Sequence, residues 1–146
     1  MIPFSEIRTR LHDKEYKLTP QREFIIKVFL NKPAQHLSAE DVYQILKDSN
    51  PEIGLATVYR TLEILNSLCI LDLIDFGDGI SRYEITSSNA HQHHHLICTE
   101  CNSISDFNED LLETLETMIN RKNGFIVYDH QVKFYGICKA CQDKRQ

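Results

Sequence analysis

Apolar positions in the first half of the chain recur at helical spacing, and polar caps mark where each run begins. Ser5 heads a run to about Lys14 and predicts a first helix. Thr19-Pro20 is an N-cap followed by proline at the first helical position, where the missing N–H costs nothing. Phe24, Ile25, Val28 and Phe29 then form one apolar stripe. Ser38 and Asp41 have capping-box spacing ahead of a Val42, Ile45, Leu46 stripe, and Asn50-Pro51 stops that helix. A fourth helix is predicted from about Ala56 to Asn66, with Val58, Leu62 and Leu65 inward and Tyr59, Arg60 and Glu63 outward.

The period then changes. Two apolar-rich runs, Ile70 to Phe76 and Ile80 to Thr86, flank Gly77-Asp78-Gly79 and read as a β-hairpin. Helices followed by such a hairpin predict a winged helix-turn-helix. In the last third, His93–Cys98 and Ser103–Phe107 read as short strands. Leu111, Leu112, Leu115, Met118 and Ile119 mark an amphipathic helix closed by Gly124, and Phe125–Asp129 and Gln131–Ile137 read as further strands. The expected fold class is α+β: an N-terminal winged helix-turn-helix domain over 1–86, then a small α/β domain over 91–146. The hinge is expected at about 84–90, around Ser87-Ser88-Asn89-Ala90. A module as small as the second commonly needs a metal or a partner subunit to stabilise it.

Composition places the 146-residue chain among ordinary globular proteins, at 42% hydrophobic and 25% charged residues. No apolar run reaches the ~20 residues of a membrane helix, and the N-terminus lacks a signal-peptide core, which points to the cytoplasm and away from a membrane. A formal net charge of −5 weighs against nucleic-acid binding when taken alone. Its distribution changes the picture. Residues 1–35 carry seven basic and four acidic side chains, whereas 36–86 carry three basic and nine acidic.

Cys98-Thr-Glu-Cys101 and Cys138-Lys-Ala-Cys141 are two Cys-x-x-Cys knuckles. Each lets two thiolates from one turn chelate a metal, and two together complete the closed four-cysteine arrangement of structural zinc. Structural disulfides are disfavoured in a cytosolic chain. Cys69, between Leu68 and Ile70, reads as a core residue. In His91-Gln92-His93-His94-His95, strand alternation puts His91, His93 and His95 on one face and Gln92 and His94 on the other. His93 and His95 thus form one candidate metal-binding pair, and His94 a candidate for a second site with a remote residue such as His130. Imidazole and carboxylate ligands suit Fe(II), Zn, Mn, Co or Ni. A metallohydrolase is the alternative from another class. However, the chain has neither a His-Glu-x-x-His helix nor a Gly-x-Ser-x-Gly turn.

Several segments together resemble the ferric uptake regulator (Fur) family of bacterial metal-dependent repressors, in particular its iron-responsive members of Gram-positive type. They are Tyr16-Lys-Leu-Thr-Pro-Gln-Arg22, His36-Leu-Ser-Ala-Glu-Asp-Val-Tyr43, Gly54-Leu-Ala-Thr-Val-Tyr-Arg-Thr-Leu62 and Phe76-Gly-Asp-Gly-Ile-Ser-Arg-Tyr-Glu84. His93-His-His-Leu-Ile-Cys-Thr-Glu-Cys101 and Tyr135-Gly-Ile-Cys-Lys-Ala-Cys141 complete the match, from about Lys17 to Cys141.

The resemblance implies a DNA-binding winged domain, a dimerisation domain, and homodimers, with a tetramer of stacked dimers as the alternative. It implies structural Zn(II) on the four knuckle cysteines. It also implies regulatory Fe(II), replaceable in vitro by Mn(II) or Zn(II), on His36, Glu84, His93, His95 and Asp106. A further family site falls on Gln92, His94, Glu113 and His130, with His91 nearby; Gln92 stands where histidine is frequent and His94 where aspartate is. Operator contacts fall on Lys17, Arg22, Thr57, Tyr59 and Arg60, with Lys17 toward an A·T-rich minor groove and Tyr59 toward thymine methyls. The implied activity is metal-dependent repression of iron-uptake genes from A·T-rich palindromic operators. Glu84 is the iron-sensor choice and Asp106 the peroxide-sensor choice, so peroxide-, zinc- or manganese-sensing members are the alternatives.

Overall fold

Side-chain caps at Thr19 and Ser38 start two of the helices. The structure, a computed structural model, describes residues 2–33, 35–86, 94–107, 109, 112–128 and 130–145, in two compact units, Met1–Ser88 and Asn89–Gln146. Residues 87–93, which include most of the predicted hinge and His91, Gln92 and His93, lie outside the described residues.

The first unit runs α1 (Phe4–Asp13), α2 (Pro20–Asn31), β1 (Leu37–Ser38), α3 (Ala39–Leu46), α4 (Leu55–Ser67), β2 (Leu71–Asp75) and β3 (Ser81–Ile85). Thr19 caps α2 by accepting the Arg22 N–H at 3.3 Å. At α3 the Ser38 hydroxyl oxygen accepts the Asp41 N–H at 3.1 Å, and the Asp41 carboxylate accepts the Ser38 N–H at 2.9 Å. Ser38→Ala is therefore expected to cost about 1 kcal/mol, read as a lower denaturant midpoint of the N-terminal unit. An unchanged midpoint would count against this cap. Ser5 does not cap α1. The helix starts at Phe4, two residues earlier than a Ser5 cap would set it, after extended Pro3, whose carbonyl accepts from Glu6 and Ile7 at 3.0 and 3.2 Å.

The apolar stripes meet in one core. Ile7 and Leu11 of α1, Ile25 and Phe29 of α2, Val42 of α3, and Val58, Leu62 and Leu65 of α4 are buried. Phe24 and Ile45, expected inside, are exposed, and Ile26 and Ala39 are buried in their place. Cys69 is also a correction. It takes a left-handed φ of 52° where the chain leaves α4, so it is exposed, while Ile70 turns into the core. The Arg10 guanidinium donates to its carbonyl at 2.7 Å and ties α1 to the end of α4.

β2 and β3 form the predicted hairpin, with Leu73 opposite Tyr83, and Gly77 and Gly79 in the turn at φ 81° and 79°. Arg82 bridges Asp78 at 2.8 Å and holds that carboxyl below its usual range. The sheet order is β1-β3-β2, all antiparallel. The short strand β1 was not predicted. With it the unit is a winged helix-turn-helix: α3 and α4 are the two helices and β2–β3 the wing.

The second unit runs β4 (His94–Cys98), β5 (Ile104–Phe107), α5 (Glu113–Asn123), β6 (Lys133–Gly136) and α6 (Lys139–Asp143). β4 lies between β5, antiparallel to it, and β6, parallel to it. Gly124 closes α5 at φ 62°. Residues 125–128, predicted as strand, are irregular, with Phe125 and Tyr128 exposed; Asp129 lies outside the described residues. No described residue of α5 is buried: its stripe shows Leu115 and Met118 at the surface, and Leu111 lies outside the described residues. No described helix is long and apolar enough to cross a membrane.

Candidate functional site

Four cysteine sulfurs converge where β4 ends and α6 begins. Cys98 is the last residue of β4. Cys101 follows in a turn continued by Asn102, at a left-handed φ of 55°. Parallel pairing sets Cys98 opposite Gly136, so the chain leaving β6 delivers Cys138 and Cys141 to the same end. The four sulfurs lie within 4.8 Å of one another, and those of Cys101 and Cys138 are 3.7 Å apart. Tetrahedral zinc with Zn–S of about 2.3 Å needs sulfurs about 3.8 Å apart, whereas a disulfide needs about 2.05 Å.

The electrostatics agree. Backbone N–H groups of Cys138, Cys101 and Glu100 lower the Cys98 thiol to about 6, the Cys138 N–H lying 3.3 Å from its sulfur. A hydrogen bond with the Ser103 hydroxyl at 3.1 Å lowers Cys101. Cys141, set among the Cys138 and Cys101 sulfurs, is pushed up to about 12. Thiolates crowded this closely repel one another until a cation balances their charge. The donor set fits Zn(II), in the closed form that serves structure rather than catalysis.

A second set of donors begins in the N-terminal unit. β1 pairs with β3 so that Leu37 faces Tyr83 and Ser38 faces Arg82. That register brings His36 alongside Glu84: His36 Nε2 lies 3.1 Å from Glu84 Oε2, and the imidazole meets the Phe76 ring edge-on at 5.6 Å. The C-terminal unit carries its own imidazole–carboxylate pair. His95 and Asp106 are register partners across β4 and β5, with Nε2 and Oδ1 3.9 Å apart. An imidazole with a carboxylate suits first-row divalent metals. His93 lies outside the described residues.

Alternation along β4 turns His94 away from His95, and the structure groups it with His130. Their rings are 5.2 Å apart, and His94 also stacks on Phe107 at 6.4 Å. The carboxylate at His130 is Glu116, 2.6 Å from Nδ1. Glu113, three residues earlier, instead lines a surface hollow with Thr117 and Arg121. Glu116 was not singled out from the sequence, although its spacing from Glu113 was the available signal. His91 and Gln92 lie outside the described residues.

The outer face of α4 presents Tyr59 and Arg60 to solvent, with Thr57 half-buried beside them. Lys17 is exposed between α1 and α2. Arg22 is engaged there. Its guanidinium donates to the Lys17 carbonyl at 2.5 Å and lies 5.7 Å over the Tyr16 ring, so it shapes the segment that carries Lys17.

A winged helix-turn-helix joined to a small module with a four-cysteine metal centre defines a class: DNA-binding regulators that use metal. The comparisons with known proteins name the family. The model of the ferric uptake regulator family matches residues 13–135. The chain is 52% identical to the Bacillus subtilis ferric uptake regulation protein, over 94% of this chain and 93% of that one. It is 35% identical to the peroxide-responsive repressor PerR of Staphylococcus saprophyticus, over 93% and 89%. A solved structure of the Helicobacter pylori ferric uptake regulator, described as having three functional metal-binding sites, superposes with a TM-score of 0.83 at 25% identity, over 94% and 90%. The chain belongs to the ferric uptake regulator family, and is thus a metal-sensing transcriptional repressor with an α+β fold and a helical N-terminal DNA-binding domain.

Proposed function

We propose that this chain senses Fe(II) in the cytoplasm, binds A·T-rich palindromic operators as a homodimer, and represses iron-uptake genes. The observation that carries the reading is the His36–Glu84 pair, held at 3.1 Å by the β1–β3 register. The pair gives the winged unit a metal-ready half-site, and His93, His95 and Asp106 supply the other half. Were a divalent cation held by these residues, it would supply the positive charge that the Glu84 and Asp106 carboxylates need. Closing the site selects one placement of the winged units from many, a population shift toward the DNA-binding state. In a two-fold dimer that placement sets the spacing of two recognition helices on two half-sites.

Within each winged unit, α4 enters the major groove. Tyr59 packs on thymine methyls, Arg60 and Thr57 meet the backbone, and Arg22 holds the segment from which Lys17 reaches the minor groove. The exposed Leu96, Phe134 and Tyr135 of the C-terminal sheet, with the Leu115–Met118 stripe of α5, are the apolar area that a second copy covers. His94, His130 and Glu116 are the donors of an additional metal site.

The test is a gel shift on A·T-rich palindromic DNA with the full-length zinc-loaded protein. The shift is expected with Fe(II) under anaerobic conditions or with Mn(II), and its loss is expected when a chelator removes that metal and leaves the zinc. A shift of equal affinity in both conditions overturns the metal-dependent reading.

A further inference from the structure

Tyr59 projects from the outer face of α4, 41% exposed, yet its hydroxyl has a fixed partner: it donates to Oε1 of Glu40. Glu40 is the second residue of α3, beside Asp41, whose carboxylate is committed to the capping box. The bond therefore runs between the two helices of the helix-turn-helix, 19 positions apart in sequence. It also raises the Tyr59 pKa and keeps the phenol a donor.

An exposed tyrosine on a helix has more than one χ1 rotamer available. A tether on the para oxygen selects one, so the ring's ordering cost is met before DNA arrives. The carboxylate is otherwise unhelpful on a face that meets phosphates, where a bare negative charge weakens binding to every sequence alike.

We propose that Glu40 is a positioning residue for sequence readout: its carboxylate holds the Tyr59 ring in the orientation in which the recognition helix presents it to thymine methyl groups. The proposal rests on the reading of Tyr59 as the base reader. It assigns Glu40 an effect on methyl discrimination, whereas a merely electrostatic role changes only overall affinity and its salt dependence.

The experiment uses full-length Mn(II)-loaded protein and an A·T-rich inverted-repeat duplex selected by the wild type from a random library. Each thymidine is replaced in turn by deoxyuridine, which deletes one methyl. Wild type is expected to lose about fourfold in affinity at the contacted position, the worth of one buried methyl. Glu40→Ala and Tyr59→Phe are each expected to shrink that penalty below about twofold, the second while keeping the ring. Glu40→Gln, whose amide oxygen still accepts, is expected to retain it. A full penalty in Glu40→Ala or in Tyr59→Phe overturns the inference and leaves Tyr59 as the base reader. No penalty at any position in wild type removes that reading and the inference with it.

Discussion

Replacing Cys98 with serine is expected to release the zinc and unfold the C-terminal unit while the N-terminal unit stays folded. The difference follows from where the apolar core is. The main buried cluster runs from Ile2 to Ile85 and lies entirely in the first unit. The second buries Ile97, Cys98, Cys141 and His94 among its described residues, and two of these four are zinc ligands. Structural zinc in small modules contributes an apparent binding free energy of about 10–16 kcal/mol, as much as the whole stability of an ordinary domain. Cys98 lies at the junction: it ends β4, accepts the Cys138 N–H at 3.3 Å, and belongs to both the sheet and the metal cluster. Hydrogen exchange read by mass spectrometry is expected to show fast exchange over β4 to β6, with α2 and α4 still protected. Metal analysis is expected to fall by one zinc per chain. Cys69→Ser, at an exposed thiol outside the cluster, is the control that keeps zinc and protection. Cys98→Ser protein with a full zinc equivalent and wild-type exchange would contradict the structural role.

The zinc ligands were legible because both knuckles are local: each pair of cysteines sits in one turn, and spacing within a turn is visible in sequence. The helices and wing were legible for the same reason, through caps and periodicity. What escaped depends on long-range register. β1 spans only Leu37–Ser38, too short for any alternation, so the pairing with β3 that sets His36 beside Glu84 has no local signal, and only the family resemblance grouped those two residues. The Glu40–Tyr59 contact likewise joins residues whose local sequence gives no hint of each other, and at His130 the carboxylate is Glu116, one helical turn from the Glu113 that the resemblance grouped with it. Residues 125–128 failed as a strand because a short apolar run marks burial of some kind, not a conformation. In this unit Phe125, Ile126 and Tyr128 stay exposed, and no apolar face of its own covers them.

Glu84→Gln is expected to cut the operator affinity measured with Mn(II) present by about 5- to 150-fold, the size of a typical coupling between two sites, with the zinc content unchanged. The side chain keeps its length and β3 keeps its pairing with β2, so the fold is preserved; what goes is the charge that faces His36 Nε2 at 3.1 Å. An amide cannot supply the anionic oxygen that favours a divalent ion over water. The more discriminating readout is reciprocity. If metal and operator both prefer the closed arrangement, operator must tighten Mn(II) binding by the factor by which Mn(II) tightens operator binding, a coupling of typically 1–3 kcal/mol. Competition with a chelating dye measures the first factor and fluorescence anisotropy the second. The two are expected to agree in wild type and to fall together in Glu84→Gln, while the weak metal-free affinity for DNA stays unchanged. A variant with full coupling would place the sensing ligand elsewhere. A variant that lost zinc as well would move Glu84 from signal to structure. Cys98→Ser is expected to show the reverse pattern, losing zinc and fold together, and this contrast separates the metal that builds the protein from the metal it reads.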